Sequence, residues 1–592
     1  VRKRVLIAAG VLAVAVSVSA AGVYAYWDRL VPRLGRAVNY VRVLTAPAGT
    51  ISTELAANGA VVPRPEPPTP AATGDWPSYN KTLTSQRYSD LGQINTRNAN
   101  RLQILCMYDT QQYGSFQAGL LMVNGALIGT TEHDIFSLDP ATCHENWRVS
   151  DGGQPGAHQA ANRGAAYWDG MLFRGSDSGP VRAYDAATGR RVWETAIADA
   201  GLGETTPAAP IAWNGLVFIG NAGGDNKGVK GRMYALDAKT GRIVWEFYLV
   251  PKAAGDPTRG PQGATPLDTS TWQNASATPI SGGATWTSYT LDPATGLLYV
   301  PAGNPAPDFA TRPRGGENLY SGSVVVLDAK TGAYRTHFKL VPGDWHDWDV
   351  SSAPALIRTR AGRHVLAVAP KDGHLYGFDL ADGSLLYRTP VTRIDNADAT
   401  FAVGRPVHFC PGTLGGAEWN GPAYDPPTNL ILVGEVEWCT TVTLADDAAL
   451  RRVQPGHIWS GMATANPYHT WGVPDGFGDW AGWLYAVDAD SGGWRWRLKS
   501  NYPILGGVTP TAGGVVLFGD MGGNFYVLDA ADGRRLWGRK IGGAIGGGVI
   551  TYTAGGAQKI AVATGLTSIL WPTEVVTGKV VVLGLRESAA VQ

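Results

Sequence analysis

From Trp76 onward, short apolar β-prone runs alternate with polar turns, and the 3.6-residue spacing of amphipathic helices is missing. One phrase recurs along this stretch. It reads FSLDPATCHENW at 136–147, RAYDAATGRRVW at 182–193, YALDAKTGRIVW at 234–245 and VVLDAKTGAYRTHF at 325–338. It returns as YGFDLADGSLLY at 376–387, YAVDADSGGWRW at 485–496 and YVLDAADGRRLW at 526–537, with shorter relatives at 288–300 and 422–433. Each copy predicts a β-hairpin: a strand enters, an Asp/Gly turn reverses the chain, and a second strand leaves carrying an aromatic. Another pair of strand signals usually precedes it, as in GLVFIGNAGG at 215–224, so one unit holds about four strands. Such a unit cannot bury both faces of its sheet alone and must stack on its neighbours. Radial stacking predicts an all-β propeller whose recurring Trp or Tyr docks between blades. Six to eight units fit between 76 and 585, and eight is the expected number. The competing architecture, an open β-solenoid, suits shorter and more regular periods.

The pattern changes at the N-terminus. Arg2, Lys3 and Arg4 precede an apolar run from Val5 to Trp27, about 23 residues and long enough to span a bilayer. The basic flank fits export of the remainder of the chain. The run predicts a helix that is either a retained membrane anchor or a signal peptide cut near SVSAAG, and its length favours the anchor. This sets a membrane or signal segment at 1–28 and a linker at 29–75 whose proline-rich part is VVPRPEPPTPAATGD, 61–75. A propeller domain at 76–585 and a short tail at 586–592 complete the division.

Composition supports this division. Charged residues make up 17 % of the chain while Gly, Pro and Trp number 77, 38 and 21, a profile for turn-rich β structure with aromatic packing. Lys plus Arg and Asp plus Glu both total 49, so nothing favours nucleic acid or another polyanion. Four cysteines, Cys106, Cys143, Cys410 and Cys439, form no CxxC pair and no CxxCH for covalent haem. In an exported chain they suggest disulfides. Sequence neighbourhood favours Cys106–Cys143 and Cys410–Cys439 among three possible pairings, with free buried thiols as the alternative.

Three stretches depart from the blade phrase. In SGGATWTSYTLDPATGLLYVPAGNPAPDF, 281–309, Gly282 and Gly283 let backbone pass close to a flat ligand, and Trp286 offers a stacking face. Asn304 follows a strand there and supplies a neutral oxygen. GDWHDWDVSS, 343–352, packs Asp344, Asp347 and Asp349 among Trp345, His346 and Trp348. ANRGAAYWDG, 161–170, places Arg163 at the end of a strand approach. An indole platform, an amide oxygen, a carboxylate and a guanidinium suit a planar, polyanionic, metal-associated ligand. Against these stand ordinary roles: packing for the tryptophans, turn capping for Asn304, and turn contacts for Asp344, Asp347 and His346.

These motifs, in this order, resemble the pyrroloquinoline quinone (PQQ) dependent alcohol dehydrogenases, eight-bladed quinoproteins, over roughly 76–585. WPSYNKTLTSQRYSDLGQINTRNANRL at 76–102 is similar to their opening segment, and NRGAAYWDG, GGATW…GNPAP, DWDVSSAP and CPGTLGGAEWNGPAYDP to later signatures. The resemblance implies a floor under PQQ at Trp286 and Ca²⁺ ligands at Asn304, Asp225 and Asp349. Asp225 stands where relatives carry a glutamate. It further implies Asp349 as the general base, Arg163 as a partner of a PQQ carboxylate, and Lys371 as a cation beside the quinone oxygens. Ser351 stands where lanthanide-using relatives carry an extra acid, which favours Ca²⁺. The implied reaction oxidises an alcohol or sugar-type hydroxyl outside the cytoplasm and passes electrons to a separate cytochrome c or membrane quinone.

This chain departs from that pattern at several places. Ala157 and His158 replace the family's adjacent cysteines, Gln117 a glutamate contacting PQQ, Glu418 an asparagine, and Leu505 a covering tryptophan. Gln117 can still hydrogen-bond PQQ, whereas Glu418 adds negative charge beside an anionic cofactor. The rival reading is a non-catalytic propeller scaffold of the outer-membrane assembly lipoprotein type.

Overall fold

The computed structural model describes residues 50–64, 74–152, 161–261, 269–274, 278–464 and 466–585. The apolar run at Val5–Trp27, the positions Ala157 and His158 and the tail 586–592 lie outside the described residues. No helix among the described residues is long and apolar enough to cross a membrane.

Why the DAxTG phrase makes a hairpin is visible at Asp237. Its Oδ1 accepts from the Lys239 and Thr240 amides and the Thr240 hydroxyl, closing the turn between the Arg232–Asp237 and Ile243–Tyr248 strands. The aromatic that ends each phrase reaches the next unit. Trp193 Nε1 donates to Ala238 O at 2.9 Å, Trp245 Nε1 to Ala329 O at 2.9 Å and Trp496 Nε1 to Ala530 O at 3.0 Å. Tyr387 OH does the same to Ala489 O at 3.2 Å. The rings also lie on the neighbour's turn glycine: a Cβ on Gly332 would stand 2.7 Å from the Trp245 indole. The repeated phrase therefore encodes both a turn and the socket for the preceding blade.

Stacking in this way, the described residues form eight antiparallel sheets with at least four strands each, as the repeats predicted. In the sheet Leu121–Val123, Ala126–Thr130, Asp134–Leu138 and Glu145–Ser150, burial falls from a wholly buried first strand to a half-exposed fourth. The ring closes on itself, because Leu102–Asp109 pairs with Lys579–Leu585 and completes the sheet made by the last three strands. The structure joins Cys106 to Cys143, which ties this closing sheet to the first blade's turn, and Cys410 to Cys439.

One expectation needs correction. Ile51–Leu55 is not linker but a fifth, edge strand pairing with Trp494–Ser500. Its residues are mostly exposed, so backbone pairing rather than side-chain burial places it, and no apolar pattern announced it.

Candidate active site

Sheet topology gathers the predicted residues. In a four-stranded antiparallel blade, the start of the first strand and the end of the second lie at the same edge. Gln117, Arg163, Trp286, Asp349, Glu418 and Leu505 precede the first strands of six of the eight sheets. Asn304 and Lys371 follow second strands of two of those sheets, and Asp225 follows the second strand of a seventh. All nine belong to one end of the ring.

Two groups form there. In the first, the buried Arg163 guanidinium lies over the Trp419 ring at 4.2 Å and the Trp286 ring at 4.9 Å. Its Nε and Nη1 have no hydrogen-bond partner, and burial lowers its pKa to about 10. Trp419 is pinned by donation from its Nε1 to Gly546 O. Around these rings Trp438, Trp480, Trp571 and Leu505 make an apolar wall. Gln117 Nε2 donates to Ser115 Oγ at 2.6 Å, leaving its buried Oε1 unpartnered. Glu418 is also buried with Oε1 unpartnered. Burial raises its pKa to about 7 against the pull of Lys371 and Arg163, so its charge couples the first group to the second.

The second group is a cluster of acids. Oxygens of Asp225, Asp308 and Asp347 lie within 4.8 Å of one another. Asp349 joins them: its Oδ1 accepts from Asn304 N at 2.8 Å, and its Oδ2 is 3.5 Å from Lys371 Nζ, which bonds Asp347 Oδ2 at 3.0 Å. Gly303 permits this approach, since a Cβ there would stand 2.4 Å from Asp349 Oδ1. The Asn304 amide donates to Asp308 Oδ1 at 3.1 Å and to Asp225, which also accepts from Trp471. Burial and then the neighbouring carboxylates push Asp308 and Asp347 well above the usual carboxylate range, while burial and Asp349 raise Asp225 to about 6. Burial opposes the charge on Lys371, but Asp347 and Asp349 prevail and raise its pKa.

Within GDWHDWDVSS the residues divide. Asp344 accepts from the His346 and Trp348 amides, and His346 stacks on Trp348 at 3.8 Å, both as ordinary turn and packing groups. Asp347 departs from its expected turn role and faces Lys371 inside the cluster. Ser351 donates to Ala417 O at 2.6 Å. Asp308 and the Trp438–Trp480–Trp571 wall were missed. Asp308 stands in the quoted GNPAPDF, four residues after Asn304, and that spacing was the available signal.

Comparison with known proteins places the chain among relatives. Residues 76–400 match the family described as "Glucose/ethanol/alcohol dehydrogenase, beta-propeller domain", and residues 481–590 match "Outer membrane protein assembly factor BamB". The chain is 32 % identical over 547 residues to the dehydrogenase subunit of an alcohol dehydrogenase (quinone) from Gluconobacter oxydans, covering 83 % of this chain and 70 % of that protein. It is 27 % identical to subunit 1 of a methanol dehydrogenase [cytochrome c] from Methylorubrum extorquens, covering 84 % of each. Among solved structures, the quinohemoprotein alcohol dehydrogenase ADHIIG of Pseudomonas putida aligns with TM-score 0.77 and 26 % identity, over 88 % of this chain and 81 % of that one. A europium-containing methanol dehydrogenase aligns with TM-score 0.74 and 25 % identity, over 87 % and 99 %.

Proposed function

Because the chain belongs to the PQQ-type glucose/ethanol/alcohol dehydrogenase family, we propose that it oxidises an alcohol or sugar-type hydroxyl outside the cytoplasm, using PQQ and a hard cation of the Ca²⁺ class. The donor set fits these groups. Arg163 and Gln117 offer unpartnered buried polar atoms to an acidic planar molecule, and Trp286 offers a face. Asp225, Asn304 and Asp349 offer oxygens to the cation once the Asn304 amide turns over to present its acceptor. Glu418 opposes PQQ carboxylates when ionised and donates a hydrogen bond when protonated.

The observation that carries the reading is Arg163, buried and half-unsatisfied on Trp286, at the same end of the ring as Asp349. PQQ held on Trp286 and Arg163 would supply the hydride acceptor, and a cation held by Asp225, Asn304 and Asp349 would supply Lewis acidity. Asp349 takes the hydroxyl proton through its carboxylate, which Asn304 N and Lys371 hold in one orientation. Two electrons would then leave to an acceptor such as a cytochrome c or a membrane quinone. The basic N-terminal flank and its apolar run support export and membrane attachment of the ring.

A scaffold role draws on the match at 481–590 but leaves the unpartnered atoms of Arg163, Glu418 and Asp308 without a use. The test adds PQQ and Ca²⁺ to the purified soluble part and measures cofactor uptake and dye reduction with a panel of alcohols and sugars. Stoichiometric uptake with substrate-dependent reduction is expected. Absence of binding at micromolar PQQ rules the enzyme out.

A further inference from the structure

Resting on the dehydrogenase reading, we propose that Lys227 is a positioning residue. It latches an arm of the chain, residues 444–463, across the site end of the ring, so that docking of the arm and loading of the site favour each other.

The arm leaves one sheet and lands on another. Its root lies between the Leu430–Glu437 and Ala481–Asp488 strands. There Ala445 N donates to Gly461 O at 2.9 Å and Ala463 N to Thr443 O at 2.8 Å, closing the root as a hairpin. Its tip carries the short helix Asp447–Arg452 and reaches the loop after Leu216–Gly220, past the two sheets that stand between them in the ring. At that loop Trp459 N donates to Asp225 O at 2.7 Å, Lys227 N to His457 O at 2.9 Å and Gly456 N to Lys227 O at 2.9 Å. The arm also takes in the loop of Asn304 and Asp308, where Phe309 N donates to Ser460 O at 2.9 Å. One arm therefore braces two loops that carry site residues from different sheets.

Lys227 supplies the side-chain grip on the tip. Its Nζ donates to Val453 O at 2.8 Å, Arg451 O at 3.1 Å and Leu450 O at 3.5 Å, which caps the C-terminal end of the helix. The same ammonium lies 5.1 Å from the centre of the Trp459 ring. A six-residue helix does not persist without such contacts. Buried Leu450 and Trp459 hold the tip from its apolar side. The Arg312–Asp447 pair is exposed and adds little. Because the main chain of Asp225 and Lys227 is bonded to the arm, release of the tip frees the Asp225 loop. Ligands that need Asp225 in place bind the docked form better, and by reciprocity their binding holds the arm down.

Trypsin reads the arm directly, since Arg451 and Arg452 are exposed in the last turn of its helix and are cut when that turn opens. Fragment masses follow this cut with and without PQQ and Ca²⁺, and absorbance titration follows PQQ uptake. Cutting at exposed Arg190, in a hairpin turn at the opposite end of the ring, is the internal reference. Loading should slow the cut in the unaltered chain about tenfold. Lys227→Met keeps an apolar stem on Trp459 but loses the carbonyl bonds, and should speed the cut about tenfold or more, with Lys227→Arg restoring it. Lys227→Met protein nicked at that bond should hold PQQ about tenfold more weakly than the intact unaltered chain. An unchanged cut in Lys227→Met overturns the proposal, as does equal PQQ affinity in the nicked variant. If Lys227→Met fails to fold, the unaltered chain decides, and equal cutting with and without ligands overturns the coupling. PQQ uptake that leaves the arm unprotected removes this inference and keeps the dehydrogenase reading. Absence of PQQ uptake overturns both.

Discussion

Replacing Asp349 by Asn separates the chemistry from the fold. The amide keeps an oxygen for Asn304 N, now at 2.8 Å, so the loop at Gly303 retains its anchor. What changes is the second atom, 3.5 Å from Lys371, while Lys371 keeps its shorter bond to Asp347 at 3.0 Å. Losing one long contact, and one charge from a crowded acid cluster, should alter stability by only about 1 kcal/mol. Losing the proton acceptor removes general-base catalysis, about 10²–10⁴-fold or roughly 3–5 kcal/mol of barrier. Steady-state dye reduction with saturating alcohol measures the loss of turnover, thermal unfolding the change in stability, and cofactor absorbance confirms loading. Asp344→Asn is the control. That acid accepts two backbone amides and faces the His346 ring rather than Lys371, so it should lose about 1–3 kcal/mol of stability with a smaller fall in turnover. A loaded Asp349→Asn protein turning over within about threefold of the parent refutes the base role.

Three further outcomes are expected. Trp245→Phe leaves the buried Ala329 carbonyl without its donor and opens space above Gly332, costing about 2–4 kcal/mol in urea unfolding. Arg163→Met removes a buried cation with two unpartnered nitrogens. The unloaded protein should be at least as stable, while PQQ affinity falls about 10–100-fold by absorbance titration. Glu418, raised from 4.5 to about 7 chiefly by burial, binds its proton more tightly folded than unfolded. Its contribution is full below about pH 4.5 and is lost as pH rises through 7, roughly 3 kcal/mol in all. Thermal unfolding of unloaded protein between pH 5 and 8 should show that decline, and Glu418→Gln should flatten it.

The blade architecture was legible because its signals are local. An Asp-x-x-Thr-Gly turn closes on its own amides, and the aromatic four residues after the glycine meets the same turn in the next copy. Trp286, Asn304 and Asp349 were legible through their motifs, since each sits in a fixed place beside a strand end. Asp347 was misread because Asp344, three residues earlier, satisfies the turn that both were expected to serve. Nothing within the run says that Lys371 stands opposite. The wall of Trp438, Trp480 and Trp571 depends likewise on which segments become neighbours, whereas Asp308 stood four residues after Asn304, within reach of a local reading. The edge strand Ile51–Leu55 had no apolar alternation to betray it.

Closing the ring with Leu102–Asp109 against Lys579–Leu585 constrains how the chain is made. Synthesis yields the first of these strands early and its partner last, after nearly the whole folded body. Until then Leu102–Asp109 offers an unpaired backbone edge, with exposed Leu105 and Met107, to any other growing chain. A holding chaperone, or any device that keeps the chain extended, would protect that edge until the final hairpin arrives. Truncation within the last strand should therefore cause aggregation out of proportion to the few residues lost, although no acid or indole of the site lies in it.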